Sequence, residues 1–299
     1  MTEASYSLRN RCVAITGAGS GIGLATAEMI LRSGGSVLGG SRRLGDFKRL
    51  QDEFGADRAY WMRLDVRDPD SVGAFASCGI DHFGSVHSVV ANAGVGYYGG
   101  VADASDDQVI EMCEINYLGT VLTVRAFLPH LRSVGGGDIL IVSSVAAHRS
   151  GADEAVYAGT KAAQLIFAGG LDREVRKDGI RVSAICPAGT HTSFAVGHGR
   201  TADDPRLSEF MAAQDVASQI VYCLQQPRTL RTGVWTTWSM SQSSGGAAQT
   251  ASVGHSLIPD LKTQASPRPD MGVFRNQARQ PFPSNNARYR ITPRCRTHT

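Results

Sequence analysis

The sequence predicts an α/β fold in which one parallel sheet is covered on both faces by helices, and three observations carry that expectation. Short apolar runs alternate with amphipathic, helix-forming stretches through about the first 240 residues. A glycine-rich turn, Thr16 to Gly23, joins the first apolar run to the first amphipathic one. Tyr157 and Lys161 stand one helical turn apart, with Ser144 thirteen residues upstream of the tyrosine.

Cys12-Val13-Ala14-Ile15 reads as the first strand, near 11–16, and Leu24 to Leu31 as the first helix. Between them Gly17, Gly21 and Gly23 lack Cβ atoms, so the chain can turn tightly, approach a phosphate and pack helix on strand. The helix N-terminus, with its free N–H groups and positive dipole end, then faces an anion. Further strands fall near 35–40, near 59–64 before Leu64-Asp65-Val66, and near 86–91 over Val86 to Val90. A long helix is expected near 105–133. Ile139 to Val142 marks a strand near 137–143 that leads into Ser144. That hydroxyl would emerge at the sheet's carboxyl edge, where ligands bind in doubly wound folds; a turn serine, as Ser143 beside it can be, is the plainer reading. A second long helix near 154–177 carries Tyr157 and Lys161, with Gly179 as its C-cap, and strands near 180–186 and 232–238 bring the sheet to seven.

Residues four apart on a helix project from one face, about 5–6 Å apart at Cβ. A cation at that range stabilises a phenolate, so Lys161 is expected to lower the pKa of Tyr157 and fit it for proton transfer to or from a substrate oxygen. An isolated Tyr-x-x-x-Lys is more often an ordinary helix face, and only its context points to chemistry.

That context resembles the classical short-chain dehydrogenase/reductase family over about residues 8 to 238. Thr16 to Gly23 has the family's TGxxxGxG spacing, and Leu64-Asp65-Val66 matches the segment whose Asp contacts the adenine. Asn92-Ala93-Gly94 stands where the family carries Asn-Asn-Ala-Gly, with Ala91 in place of the first Asn. Asn116, Ser144, Tyr157 and Lys161 match the catalytic tetrad. Cys186-Pro187-Ala188-Gly189-Thr190-His191-Thr192 matches a Pro-Gly segment with a nearby Thr, Ala188 replacing the Gly. The resemblance implies a single Rossmann-fold domain with a seven-stranded parallel sheet that assembles as a homodimer or homotetramer. It implies that Tyr157 is the acid/base, that Ser144 hydrogen-bonds the substrate oxygen, that Lys161 holds the nicotinamide ribose and that Asn116 holds a water in a proton relay. Implied cofactor contacts are Gly17, Ser20, Gly21, Ile22 and Gly23; Asp65 and Val66; Asn92, Ala93 and Gly94; Pro187, Gly189 and Thr192; and Tyr157 with Lys161.

NAD-preferring relatives place an acidic residue about 20 residues beyond the glycine turn to bind the ribose 2′-hydroxyl. Ser41 occupies that place here, followed by Arg42 and Arg43. A guanidinium grips a 2′-phosphate that a carboxylate would repel, so NADP(H) is expected rather than NAD(H), unless both arginines are a solvated loop pair.

The chain has 299 residues, 42% of them hydrophobic, enough for one large core. Residues 1–240 are read as the catalytic domain and 241–299 as a low-complexity basic tail, expected to be disordered. Residues 247–299 carry eight Lys/Arg against Asp260 and Asp270, and so +6, which leaves the remainder at −3 within the chain's +3. Dispersed cations of this kind are more often a solubilising extension than a polyanion reader, so neither nucleic acid nor membrane is expected as a partner. Met1 to Leu8 lack an apolar secretion segment, no 18-residue apolar stretch occurs, and the six cysteines form no CxxC pair. A cytoplasmic protein without a metal site is expected.

The variable pocket implied by the resemblance offers Tyr97, Tyr98, His191, Phe194 and His198, with His148 nearby, although each is compatible with surface or core positions. They suggest a medium-sized, partly apolar carbonyl compound or the corresponding alcohol. The ending Thr232 to Trp238 lacks the Asp-Gly-Gly close of many acyl-carrier-protein reductases. The expectation is an NADP(H)-dependent ketone or aldehyde reductase, with a non-catalytic NADP-binding sensor as the alternative.

Overall fold

A computed structural model describes residues 7–242, so the expected tail lies outside the described residues except for Ser241 and Gln242. Seven parallel strands form the sheet: β1 Cys12–Thr16, β2 Ser36–Ser41, β3 Ala59–Arg63, β4 Ser88–Ala91, β5 Gly137–Val142, β6 Ile180–Pro187 and, last in the chain, β9 Val234–Thr237. Their order is β3-β2-β1-β4-β5-β6-β9. The chain winds outward from β1 to β3, then returns to lay β4 on the other side of β1, pairing Val13 with Ser88 and Ile15 with Val90. This reversal opens a crevice at the carboxyl ends of β1 and β4, the place where doubly wound sheets bind ligands. Two two-residue strands, β7 Thr190–His191 and β8 Met211–Ala212, form a separate ribbon beyond β6.

Strands β1, β5 and β6 are buried along their whole length, so β1 and Ile139–Val142 of β5 read as continuous apolar runs, while β6 also buries Arg181 and Ser183. One face is covered by α3 Pro69–Phe83, α5 Gly119–Ser133 and α6 Ala155–Val175, with Phe75 and Phe127 meeting edge to face at 5.8 Å. The other is covered by α1 Gly21–Arg32, α2 Phe47–Phe54 and α7 Ala213–Leu224. Each large apolar side chain so buried contributes roughly 1.5–3 kcal/mol. Gly39 in β2 is obligatory on packing grounds, because a Cβ there would sit 2.5 Å from the Phe47 ring.

The helix expected over 105–133 is instead three segments. Helix α4 Asp106–Met112 starts from a reciprocal Ser105–Gln108 capping box, passes into a π-helical turn over Cys113–Leu118, and continues as α5. The π turn carries Asn116, and such widened turns recur at functional sites. Gly119 follows it, where a Cβ would come 2.6 Å from Val66; Val66 is therefore a buried packing residue. Helix α6 ends in a 3₁₀ turn and the left-handed Gly179, as expected.

Beneath β5, Asp138 accepts from Arg181 Nε at 2.6 Å and Arg228 Nη1 at 2.8 Å, while Arg181 Nη1 reaches the carbonyls of Gln226, Pro227 and Leu230. This buried pair ties the sheet to the loop that delivers β9. Among the described residues no helix is long and apolar enough to cross a membrane.

Candidate active site

The glycine turn is held open from behind. Thr16 Oγ1 accepts the backbone N–H groups of Asn92 at 3.1 Å and Ala93 at 3.0 Å, and Asn92 Nδ2 donates to the carbonyls of Thr16 at 2.9 Å and Gly17 at 3.3 Å. Thr16 and Asn92 thus lock the end of β1 to the end of β4. Gly17 has φ +70°, and a Cβ there would lie 2.9 Å from Asn92 Nδ2. At Gly23 a Cβ would stand 2.3 Å from the Gly17 carbonyl oxygen, so α1 packs on the turn only without a side chain. Ser20 precedes α1 with extended backbone, its hydroxyl makes no capping bond, and no acidic residue sits in the first turn. An anion could meet that helix end without repulsion.

At the end of β2, Ser41 Oγ donates to the Arg43 carbonyl at 2.7 Å and accepts Trp61 Nε1–H at 2.8 Å, so it braces the loop. Arg42 and Arg43 line the crevice. The half-exposed Arg42 pairs with Glu111 of α4 at 3.2 Å, and Glu111 also accepts a short hydrogen bond from the Tyr97 hydroxyl. Burial, then the Glu111 carboxylate, raises the Tyr97 phenol to about 12. Asp65 is taken by Arg67 through a two-pronged bond, which holds its carboxyl below the usual range.

Three tetrad positions converge on a cavity of about 790 Å³ that also holds Gly17, Ser20, Gly21, Ile22, Asn92, Ala93, Gly94, Pro187, Gly189 and Thr192. Those three are Ser144, just past β5, and Tyr157 and Lys161, both buried on α6. Gly23, Ser41, Asp65, Val66 and Asn116 stand outside the cavity lining. Asn116 is wholly buried: its Oδ1 accepts Val95 N–H at 2.8 Å, and its Nδ2 donates to Val95 O at 2.9 Å and Thr160 Oγ1 at 3.0 Å. One side-chain donor thus fixes the loop after β4 and the other reaches α6.

Tyr157 and Lys161 both stand buried on α6, one turn apart. Lys161 Nζ donates to Val142 O at 2.9 Å and lies 5.7 Å from the Tyr157 ring centroid. Burial raises the Tyr157 phenol above its ordinary range, the neighbouring Tyr98 adds to this, and the Ser144 hydroxyl works against it. The Lys161 ammonium is itself pushed down by burial to about 8. Ser144 Oγ accepts Ala146 N–H at 3.1 Å and is 3.5 Å from Pro187 O, whereas Ser143 Oγ is committed to the Lys161 carbonyl at 2.8 Å.

Tyr97, Tyr98, Phe194 and His198 line the cavity, but His148 and His191 do not; His191 is exposed on β7. The sequence reading missed Arg149, Arg200, Arg206, Phe210, Trp238 and Gln242 in the wall, and with them the carboxylates Asp153, Glu154 and Glu209. No motif marks them. Gln242 Nε2 donates to Gly189 O at 3.2 Å, and Gly189 has no room for a Cβ, which would meet Gln242 at 2.4 Å. Among the described residues no group of three or more His, Cys, Asp or Glu side chains is arranged to hold a metal.

The family model for short chain dehydrogenases matches residues 11–202. An uncharacterized oxidoreductase of Staphylococcus haemolyticus is 30% identical over 230 residues, covering 76% of this chain and 94% of the relative. An alcohol dehydrogenase from the archaeon Thermococcus sibiricus, solved with 5-hydroxy-NADP, superposes with a TM-score of 0.71 at 28% identity, over 78% of this chain and 98% of that one. A short-chain dehydrogenase/reductase from Burkholderia phymatum in complex with NAD gives 0.68 at 26% identity, over 77% and 90%. With the glycine turn, the Tyr–Lys helix and the sheet order already in hand, the match places this chain in the short-chain dehydrogenase family of oxidoreductases.

Proposed function

We propose that the protein is an NADP(H)-dependent carbonyl reductase, reducing a ketone or aldehyde and, in reverse, oxidising the corresponding secondary alcohol. The observation that supports this best is the convergence of Ser144, Tyr157 and Lys161 with the glycine turn and Arg42 on one cavity. A dinucleotide fits the residues present, since the turn crowds out side chains at Gly17 and Gly23 and leaves the α1 N-terminus clear of acidic groups. In this reading Gly17, Ser20, Gly21 and Ile22 hold the pyrophosphate and Arg42, with Arg43 beside it, the 2′-phosphate. Asn92 and Ala93 shape the floor, and Gly94, Pro187, Gly189 and Thr192 border the nicotinamide. When bound, the cofactor supplies the hydride.

The chain supplies the proton and the orientation. The phenol is protonated at neutral pH, and in this reading Tyr157 donates that proton as negative charge builds on a carbonyl oxygen, a charge that offsets the weaker acidity burial gives it. Ser144 holds that oxygen in line with the phenol. Lys161, brought to about 8, keeps a proton at Nζ that is exchangeable near neutrality.

The test is parallel titration with NADPH and NADH, then a panel of carbonyl compounds followed at the nicotinamide absorbance, on wild type and Tyr157→Phe. Preferential NADPH binding with turnover that Tyr157→Phe abolishes, cofactor affinity being kept, is the expected result. Tight binding without turnover across the panel would favour the sensor alternative, and turnover retained in Tyr157→Phe would remove the proposed proton donor.

A further inference from the structure

Arg200 stands in the cavity wall as a partly buried guanidinium held mainly by aromatic rings. Its Cζ lies 4.9 Å from the Phe210 ring centroid and 5.8 Å from that of Tyr98, and Nη1 donates to Phe194 O at 3.3 Å. Among the described residues no carboxylate comes within ion-pair distance of it. Arg206, on the same wall, differs: it is bound two-pronged by Asp204.

The segment around Arg200 is built to hold it there. Arg200 N–H donates to Ala195 O at 3.2 Å, and its carbonyl accepts Gly197 N–H at 2.8 Å. Ala195 takes φ +61°, a left-handed conformation that costs a non-glycine residue. Gly199, at φ +89°, presses against Tyr98 so closely that a Cβ would meet Tyr98 O at 2.5 Å. His198 O accepts Tyr98 N–H at 3.0 Å, which fastens the turn to the loop after β4.

Tyr98 joins the guanidinium to the reacting end. Its ring is 5.8 Å from that of Tyr157, as is the ring of Phe194, so Arg200 and Tyr157 share the same aromatic neighbour. Rings that stack on a guanidinium fix its plane while leaving edge N–H groups available, and a carboxylate accepts such a fork in a two-pronged geometry. Building on the reductase reading, we propose that Arg200 is a specificity-determining residue that binds the carboxylate of the substrate, so that the enzyme acts on oxo acids and the corresponding hydroxy acids in preference to uncharged carbonyl compounds. The charge of Arg200 is felt at both Tyr98 and Tyr157, where it favours the ionised form and the Glu154 carboxylate opposes it.

The experiment compares kcat/KM for a series of oxo acids of increasing carbonyl-to-carboxylate spacing and for their methyl esters, on wild type, Arg200→Met and Arg200→Lys. Wild type should prefer its best acid to the matching ester by about 10–100-fold, the range of one charge-assisted hydrogen-bonded contact. Arg200→Met should lower kcat/KM for the acid by a similar factor, chiefly through KM, and lower that for the ester far less. Arg200→Lys, which keeps the charge and the fold without the planar fork, should fall between. Equal losses for acid and ester would give Arg200 a merely structural role, and a wild type that turns over esters as well as acids would overturn the carboxylate site while leaving the reductase standing. NADPH binding with no turnover of any acid, ester or uncharged carbonyl compound would remove the reductase reading itself, and the carboxylate site with it.

Discussion

Replacing Lys161 with methionine should remove a specific pH dependence of stability, whose size follows from the burial of one ammonium. Lys161 is 4% exposed, and burial lowers its pKa from 10.5 to about 8. The unfolded chain therefore holds this proton more tightly than the folded one. Below about 8 both states carry it and the contribution is at its least favourable; as pH rises toward 10.5 the native ammonium deprotonates first and stability increases. The whole shift corresponds to about 3 kcal/mol, of which roughly 1 kcal/mol falls between pH 7 and pH 9. The bond from Nζ to Val142 O, 2.9 Å long, offsets part of the burial cost at pH 7. Methionine keeps the length of the side chain and carries no charge. Urea denaturation of wild type and Lys161→Met at both pH values, at constant ionic strength, should show wild type gaining roughly 1 kcal/mol on the variant, or about 2–4 °C in Tm. Parallel pH profiles would mean that the ammonium is solvated in the folded protein, and the reasoning would fail.

On the proposed 2′-phosphate assignment, Arg42→Ala should weaken NADPH by roughly 10–100-fold and NADH far less, read by fluorescence titration, because it would remove a charge-assisted contact made to that phosphate alone. Equal losses would sink that assignment. In the same assay Glu111→Gln should tighten NADPH by no more than about fivefold, since the exposed Arg42–Glu111 pair it breaks is worth at most about 1 kcal/mol. Asp138→Ala leaves Arg181, whose side chain is 7% exposed, as an uncompensated buried charge, and should cost about 3–5 kcal/mol in thermal or urea denaturation. A cost below about 1 kcal/mol would show that the carbonyls around Arg181 satisfy it unaided.

The sheet was legible because its central strands are buried on both faces, and continuous apolar runs such as Ile139 to Val142 announce themselves. The glycine turn was legible for a similar reason: Gly17 and Gly23 are fixed by steric exclusion, which leaves a residue type as its trace. The place of Asn116 in the chain was readable, but the sequence carries no signal for the π turn it sits in or for its bonds to Val95 and Thr160. The direction of Lys161 was hidden too, since helical spacing fixes which face a side chain leaves from but not whether its tip reaches a phenol or the Val142 carbonyl. Arg200 and Phe210 meet only through tertiary packing of two irregular segments, where neither period nor motif operates.

The polar frame of the site is held by backbone more than by side-chain pairing. Lys161 is bonded to Val142 O, Ser143 to Lys161 O, Asn116 to both polar groups of Val95, and Asn92 to the carbonyls of Thr16 and Gly17. Strand ends and the loops that leave them therefore set the geometry, and the register of the sheet fixes it before any ligand arrives. Tyr157 stands apart from this scheme: its neighbours include the Tyr98 and Phe194 rings, the Ser144 hydroxyl and the Lys161 ammonium. A phenol in an aromatic cage keeps its proton against solvent base, because its anion is poorly solvated there. It yields that proton only to a base formed inside the cage. In the proposed reductase reading, a carbonyl oxygen gathering negative charge against Ser144 and Tyr157 would be such a base, and the burial that raises the phenol would then couple proton transfer to the reduction step.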